Sequence, residues 1–155
     1  MIKAVIFDFG GVLETGTGSS YKLYENIARF LGRDSQRVSD NARELDVQRL
    51  QTGEITEEQF WHMLSRRLEM PLPSDYRDKI QNWYAAEFSF NQEMIEMAAS
   101  VRGKGYRTAI LSNTIPSHLS VWKPQAEVYG FSPVIASCEV GVRKPDEAIY
   151  RLAMK

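Results

Sequence analysis

The chain has 155 residues, the length of about one domain, and 43% of them are hydrophobic while 25% are charged. This composition is that of a globular protein, and it excludes a disordered, collagen-like or low-complexity chain. Nineteen basic and twenty acidic residues give a net charge of −1. Because nucleic acids and anionic membranes need a concentrated basic surface, this balance argues against either as the main partner.

The sequence contains one cysteine, Cys138, so no disulfide can form within the chain. No apolar run approaches the roughly 20 residues that a membrane helix requires. The apolar stretch at the N terminus is too short for a secretory signal and it is interrupted by an acid. A single thiol without a secretory segment is typical of a reducing compartment, so we predict a cytoplasmic protein.

The first predicted element is a strand over Ala4–Phe7, which Asp8 and the pair Gly10-Gly11 follow. An apolar run without polar alternation is typical of a strand that is buried on both faces of a parallel sheet. Apolar positions at helical spacing then predict four helices within residues 14–89. These helices are one ending before Gly32, one from Ser35 to about Gly53, one from the capping box Thr56–Gln59, and one from Ser74.

From Asn91 onward, helices and strands are predicted to alternate. The pattern predicts a helix around 94–101, a strand over 108–111, a helix from Pro116 that Pro124 limits, a strand over 134–137, and a helix after Pro145. This order predicts a doubly wound α/β core, residues 1–13 and 90–155, interrupted by a helical domain, residues 14–89.

Polar residues follow each of the three predicted strands: Asp8, Ser112-Asn113 and, after a loop, Lys144. Ligands of parallel sheets bind at the carboxyl ends of the strands. A carboxylate can attack phosphorus, a hydroxyl and backbone N–H groups can hold phosphate oxygens, and a lysine can neutralise the crowded charge. The set therefore predicts phosphoryl transfer with Mg²⁺, because this ion prefers oxygen ligands and phosphate.

Three segments, Phe7–Leu13, Leu111–Thr114 and Gly141–Asp146, resemble the first three motifs of the haloacid dehalogenase (HAD) superfamily. The helical segment after the first motif is similar to that superfamily's C1 cap, and the whole chain resembles the sugar-phosphate phosphatases of subfamily IA. The resemblance implies an α/β fold, with a Rossmann-like parallel-sheet core and an inserted four-helix cap. It also implies hydrolysis of a small phosphorylated metabolite such as a sugar phosphate.

The same resemblance implies a role for each matching residue. Asp8 would be the nucleophile that forms an aspartyl-phosphate, and it would be a ligand of Mg²⁺ together with the Gly10 carbonyl. Ser112 would bind the transferring phosphoryl group, and Lys144 would balance the charge of Asp8 and phosphate. The implied substrate-binding positions are Gly10, Gly11, Asn113 (through its backbone) and Thr114.

Two departures from the family's pattern leave alternatives open. Gly10 stands where most of these phosphatases carry an aspartate that acts as general acid and base, and a 2-haloacid dehalogenase also lacks that aspartate. The sequence ends at Lys155, before the acidic fourth motif that lies on a further strand. We therefore also consider a catalytically impaired, truncated fragment or a phosphate-binding remnant, with self-association through an unpaired edge of the first strand.

The remaining reactive side chains are interpreted as structural. His118 follows the second motif on a short predicted helix, and His62 lies beside Trp61 in the helical segment. Both are interpreted as packing or surface residues, and Cys138 as a thiol without the histidine partner that a nucleophile needs.

Overall fold

The structure, a computed structural model, describes residues 2–15 and 19–154. Its sheet contains three parallel strands in the order β1 (Ala4–Phe7), β2 (Arg107–Ser112) and β3 (Val134–Ala136). The register places Phe7 opposite Ile110. The predicted α/β fold with a parallel sheet is therefore confirmed.

Helices form most of the rest of the described chain. Their bounds are α1 Ser19–Leu31, α2 Ser35–Glu44, α3 Val47–Gln51, α4 Glu57–Arg67, α5 Tyr76–Glu87, α6 Gln92–Gly103, α7 Pro116–Val128, α8 Ser137–Val140 and α9 Glu147–Ala153. None of these helices is long and apolar enough to cross a membrane.

The helix that the sequence predicts from Ser35 to about Gly53 is divided into α2 and α3. Leu45 has extended backbone angles, φ −75° and ψ 138°, and it ends α2. The Asp46 side chain then accepts hydrogen bonds from two backbone N–H groups of the next turn, and so it begins α3. Because an aspartate satisfies N–H groups of a first helical turn, it favours a new helix over continuation of the old one.

Pro124 does not limit α7, and the expectation that it would is wrong. The helix continues through Pro124 to Val128. A proline inside a helix removes one backbone hydrogen bond and crowds the preceding turn. Trp122 and Ala126, on either side of the proline, are completely buried, and this packing holds the helix together despite the lost bond.

The apolar side chains form separate clusters. Helices α1–α5 bury a cluster of their own that includes Ile27, Val38, Leu50, Phe60 and Leu64. In the sheet, neighbouring residues of β2 face opposite sides, because side chains alternate along a strand. Ile110 packs with Phe7 and Trp122, whereas Leu111 packs with Ile135 and Ile149. The sheet is therefore covered by helices on both faces.

Strand β1 lies at an edge of this three-stranded sheet. Its residue Ile6 is exposed. An exposed strand edge is a surface that can pair with another chain, and self-association through this edge stays a prediction.

Candidate functional site

Asp8 and Lys144 form an ion pair just beyond the carboxyl end of β1. The Lys144 Nζ atom lies 2.6 Å from Asp8 Oδ1, and the Phe9 backbone N–H donates to the same oxygen at 2.7 Å. The Asp8 side chain is 49% exposed and the Lys144 side chain 20% exposed. A ligand can therefore reach the carboxylate, while the lysine charge is held beside it. We call these two residues the ionic pair.

The Asn113 side chain ties the loop after β2 to the loop that carries Lys144. Asn113 Nδ2 donates to the Lys144 carbonyl at 3.0 Å, and the Lys144 N–H donates to Asn113 Oδ1 at 2.8 Å. Both the nitrogen and the oxygen of the Asn113 side-chain amide therefore form hydrogen bonds with the Lys144 backbone. Because these two bonds fix the backbone from which the lysine side chain extends, Asn113 positions the ionic pair.

Ser112 is the last residue of β2 and is buried, and Thr114, two residues further, is also buried. The Thr114 N–H donates to Ser137 Oγ at 3.0 Å, and the Ser137 hydroxyl donates back to the Thr114 carbonyl at 3.2 Å. The backbone N–H of Thr114 is thus already used within the protein. This leaves Ser112 and the backbone of Asn113 as the better candidates for contacts to an anion.

The glycines follow Asp8 in a tight loop, Phe9–Leu13, which the Glu14 N–H closes by donating to the Phe9 carbonyl at 3.0 Å. Gly11 has a φ of 73°, a left-handed conformation that glycine adopts without steric cost. A Cβ atom at Gly10 or Gly11 would have no heavy atom within 4 Å. The left-handed backbone conformation therefore requires a glycine at the position of Gly11. Open space lies beside both Gly10 and Gly11.

A cavity of about 190 Å³ lies between helices α3–α5 and the carboxyl ends of the strands. Four of the predicted site residues line it: Gly10, Ser112, Asn113 and Thr114. The other lining residues are Phe9, Glu14, Tyr24, Val47, Leu50, Gln51, Phe60, Trp61, Tyr84, Ile115 and His118. A wider cleft of about 590 Å³ between α4, α5 and the start of α7 contains none of the predicted site residues.

Three lining residues, the buried Glu14 and Tyr84 and the half-buried His118, form what we call the buried trio. Glu14 is 8% exposed. The Tyr84 hydroxyl donates a hydrogen bond to its carboxyl group. The Tyr84 ring stacks on the His118 ring with centroids 3.8 Å apart and planes 5° apart. Within the part of the chain that the structure describes, Glu14 Oε1 and His118 Nε2 are buried without a hydrogen-bond partner.

Burial shifts the titration of the buried trio away from charged forms. It raises the pKa of the Glu14 carboxyl, and the hydrogen bond from Tyr84 offsets part of that rise. It lowers the pKa of His118 to about 4, because a buried imidazolium loses its hydration. The interpretation of His118 as a packing residue agrees with its stacked ring and with the burial of its Nε2 atom. The sequence reasoning missed Glu14, since nothing in its spacing distinguishes it from a surface acid.

The donors around Asp8 are compatible with Mg²⁺. Among residues 2–15 and 19–154, no group of three or more His, Cys, Asp and Glu side chains could hold a metal. Mg²⁺ does not require such a group, because it is commonly held by one or two carboxylates together with water and a substrate phosphate. Both contacts of the Asp8 carboxylate use Oδ1, which leaves Oδ2 for a cation. Gly10 is exposed, and its carbonyl is a second oxygen of the kind that Mg²⁺ prefers.

The family model of haloacid dehalogenase-like hydrolases matches residues 2–155. Since the match extends over nearly the whole chain, the protein belongs to this family of hydrolases. The resemblance that the three motifs indicated is thereby confirmed.

Individual relatives are more distant. Bifunctional epoxide hydrolase 2 of Sus scrofa is 27% identical over 168 residues, which cover 99% of this chain but 30% of that protein. A HAD family enzyme of Bacteroides thetaiotaomicron, solved with magnesium and inorganic phosphate, has a TM-score of 0.73 at 20% identity, covering 99% of this chain and 78% of that one. L-2-haloacid dehalogenase of Xanthobacter autotrophicus was solved with chloropropionic acid covalently bound. It has a TM-score of 0.63 at 21% identity, and the match covers 99% of this chain and 64% of that one. These two solved structures share the fold of this chain.

Proposed function

We propose that this protein is a Mg²⁺-dependent phosphatase that hydrolyses a small phosphate ester, such as a sugar phosphate, through an aspartyl-phosphate on Asp8. The observation that carries the proposal is the 2.6 Å contact between Lys144 Nζ and Asp8 Oδ1. A lysine so close to a half-exposed carboxylate reduces the repulsion that an approaching phosphate would meet.

In the proposed reaction, an Asp8 carboxylate oxygen attacks phosphorus while the bond from phosphorus to the leaving oxygen breaks. Ser112 and the Asn113 backbone hold the non-bridging oxygens, and Lys144 balances the negative charge. Asp8 and the Gly10 carbonyl would hold Mg²⁺, which supplies further neutralisation of phosphate charge when it is bound. Water then attacks the acyl-phosphate, which releases phosphate and restores Asp8.

We further propose that residues 14–89 act as a cap domain over the core formed by 1–13 and 90–155. The cavity supports this division, because its wall combines Leu50 and Phe60 from the helical cluster with Ser112 at a strand end. A volume of about 190 Å³ is small for a ligand pocket. It suits a leaving group of about one six-membered ring, since a cavity of roughly 150 Å³ holds benzene.

The Bacteroides thetaiotaomicron enzyme gives independent support for the ligands. It is a HAD family enzyme of the same fold, and it was solved in complex with magnesium and inorganic phosphate. Both are the ligands that the carboxylate, hydroxyl and lysine around Asp8 would bind in this chain.

Release of phosphate from 4-nitrophenyl phosphate tests the proposal, with and without Mg²⁺, for the wild-type protein and Asp8→Asn. We expect Mg²⁺-dependent turnover that Asp8→Asn reduces at least about 10³-fold, because an amide cannot form the acyl-phosphate. Asp40→Asn is the matched control, since Asp40 is an exposed residue of α2 that bonds to Gln36. Equal rates for wild-type and Asp8→Asn would contradict the proposal.

A 2-haloacid dehalogenase is the second candidate, and the absence of a carboxyl group at Gly10 favours it. In that reaction Asp8 would attack carbon, halide would leave, and no protonated leaving group would be needed. Release of chloride from 2-chloropropionate that persists in a metal chelator would establish this alternative. A protein that binds phosphate but turns over neither substrate would correspond to the phosphate-binding remnant.

A further inference from the structure

The proposed phosphatase reaction leaves one proton without a source. When the bond from phosphorus to an alcohol oxygen breaks, the departing alkoxide needs a proton, and a positioned acid typically accelerates such a step by about 10²–10⁴-fold. Gly10 has no side chain that could supply this proton. If the enzyme acts on ordinary alcohol esters, water or another side chain must supply it, and the candidate side chains are those that line the cavity with Ser112 and Asn113.

The described lining of the cavity contains four titratable side chains: Glu14, Tyr24, Tyr84 and His118. Burial lowers the pKa of His118 to about 4, so its imidazole is neutral near pH 7 and has no proton to give as an imidazolium. Burial raises the pKa of both tyrosines, which makes them still weaker acids. Glu14 is the remaining candidate, and its carboxyl is a stronger acid than either tyrosine.

The surroundings of Glu14 favour a carboxyl group that carries a proton. Glu14 is buried, with 8% of the residue exposed, and burial raises the pKa of its carboxyl. The Tyr84 hydroxyl occupies one hydrogen-bonding position of the carboxyl group. The Oε1 atom has no partner among the described residues, although a buried polar atom without a partner costs about 1–3 kcal/mol. Glu14 lines the same cavity as Gly10, Ser112 and Asn113.

We infer that Glu14, acting as a carboxylic acid in the cavity, is the proton donor to the leaving oxygen, and this inference rests on the phosphatase proposed above. Phosphorus forms a bond to an Asp8 oxygen as its bond to the leaving oxygen breaks, and that oxygen takes the proton of Glu14. The alcohol departs, leaving an aspartyl-phosphate and a Glu14 carboxylate. Water then attacks phosphorus and returns one proton to Glu14, which yields phosphate, free Asp8 and the original acid.

Two esters of similar size distinguish proton donation from other roles. The leaving group of 4-nitrophenyl phosphate departs as a stable phenolate, whereas benzyl phosphate releases a basic alkoxide that needs a proton. The ratio kcat/KM reports only the steps up to the first departure, so slow hydrolysis of the aspartyl-phosphate does not affect it. An acid catalyst should therefore matter for benzyl phosphate and hardly at all for 4-nitrophenyl phosphate.

For Glu14→Gln we expect kcat/KM on benzyl phosphate to fall about 10²–10³-fold, with a change under about threefold on 4-nitrophenyl phosphate. The matched control is Glu54→Gln, which removes an exposed carboxylate that pairs with Arg49 and should change neither value. If Glu14→Gln does not fold, Glu14→Asp takes its place, because it keeps an acid but withdraws it from the cavity. Glu14→Asp should also lower kcat/KM on benzyl phosphate more than kcat/KM on 4-nitrophenyl phosphate.

The outcomes separate this inference from the proposed function. Wild-type protein that hydrolyses neither ester with Mg²⁺ overturns both. Wild-type protein that hydrolyses both esters, with Glu14 variants that lose activity equally on the two or on neither, overturns only the role of Glu14.

Discussion

The ionic pair and the buried trio have opposite electrostatic environments. Asp8 and Lys144 are charged, partly exposed, and matched to each other at 2.6 Å. In the buried trio, by contrast, the carboxyl of Glu14 and the imidazole of His118 each keep one polar atom without a partner among the described residues. Charge is balanced by an opposite charge in the first set, whereas in the second set burial disfavours the charged forms.

Because of this difference, we expect the two sets of residues to have different roles. A pre-formed ion pair costs no rearrangement when a phosphate arrives, which is the arrangement expected for stabilising charge during the reaction. Buried polar atoms without partners make the folded protein less stable. Variants of the ionic pair should therefore act on turnover, and variants of the buried trio should also act on stability.

After loss of the nucleophile itself, removal of the lysine charge gives the largest expected effect on kcat. Lys144→Met keeps an unbranched side chain but removes the cation beside Asp8. We expect kcat on 4-nitrophenyl phosphate to fall about 10²–10³-fold, because the phosphate then approaches an unbalanced carboxylate. Lys123→Met is the matched control, since Lys123 pairs with Glu139 outside the proposed reaction. A Lys144→Met protein with wild-type kcat would show that the ionic pair is only structural.

Loosening the loop that carries Lys144 gives a smaller expected effect. Asn113→Ala removes both hydrogen bonds to the Lys144 backbone, and we expect kcat to fall about 10- to 100-fold through misplacement of the lysine. The free energy of unfolding should fall by about 1–3 kcal/mol, because the Lys144 N–H and carbonyl lose their partners. Both quantities are measured on one preparation, by phosphate release and by urea titration.

The control for this variant is Asn41→Ala. Asn41 also donates its side-chain amide to a backbone carbonyl, that of Arg37 at 2.8 Å, but on the surface of α2. The free energy of unfolding of Asn41→Ala should fall by less than about 1 kcal/mol, and its kcat should equal that of the wild-type protein. A kcat for Asn113→Ala equal to that of this control would contradict the positioning role of Asn113.

The ionic pair could be predicted from sequence, and the buried trio could not, for a physical reason. Asp8 directly follows a buried apolar strand, and Lys144 belongs to a motif of fixed pattern, so local sequence marks both. Glu14, Tyr84 and His118 lie up to about a hundred residues apart along the chain, and none of them belongs to a local motif. Their association depends on packing between helices and core, which the spacing of residues does not encode.

The same limit explains what was missed elsewhere. The Asn113 side chain binds a backbone 31 residues away, so the sequence indicated a phosphate contact but not the tie between loops. The capping box at Thr56 and Gln59 was predicted correctly, because both of its hydrogen bonds are local. The break at Leu45 was missed because its signal, the cap at Asp46, lies inside a run of otherwise helical apolar spacing.

The smallest effect expected at neutral pH, and the one that tests the buried trio most directly, is that of His118→Phe. A phenyl ring can keep the stacking on Tyr84 while it removes the unpartnered Nε2 atom. The pKa of His118 is lowered from 6.5 to about 4 by burial, so the unfolded chain binds a proton there that the folded protein does not. The stabilisation from a neutral, buried His118 is therefore fully present above pH 6.5 and is lost as the pH falls toward 4. Over this range the free energy of unfolding falls by at most about 3 kcal/mol.

Urea unfolding of both proteins between pH 4 and pH 7.5 measures this contribution. The raised pKa of Glu14 has the opposite sign, since it favours the folded state at low pH and this benefit is lost as the pH rises. Both proteins retain Glu14, so the difference between their stability curves isolates His118. We expect His118→Phe to gain stability relative to wild-type as the pH falls below 6.5. Parallel curves would mean that His118 is hydrated in solution, and the buried trio would then lack the dry surroundings that raise the pKa of Glu14.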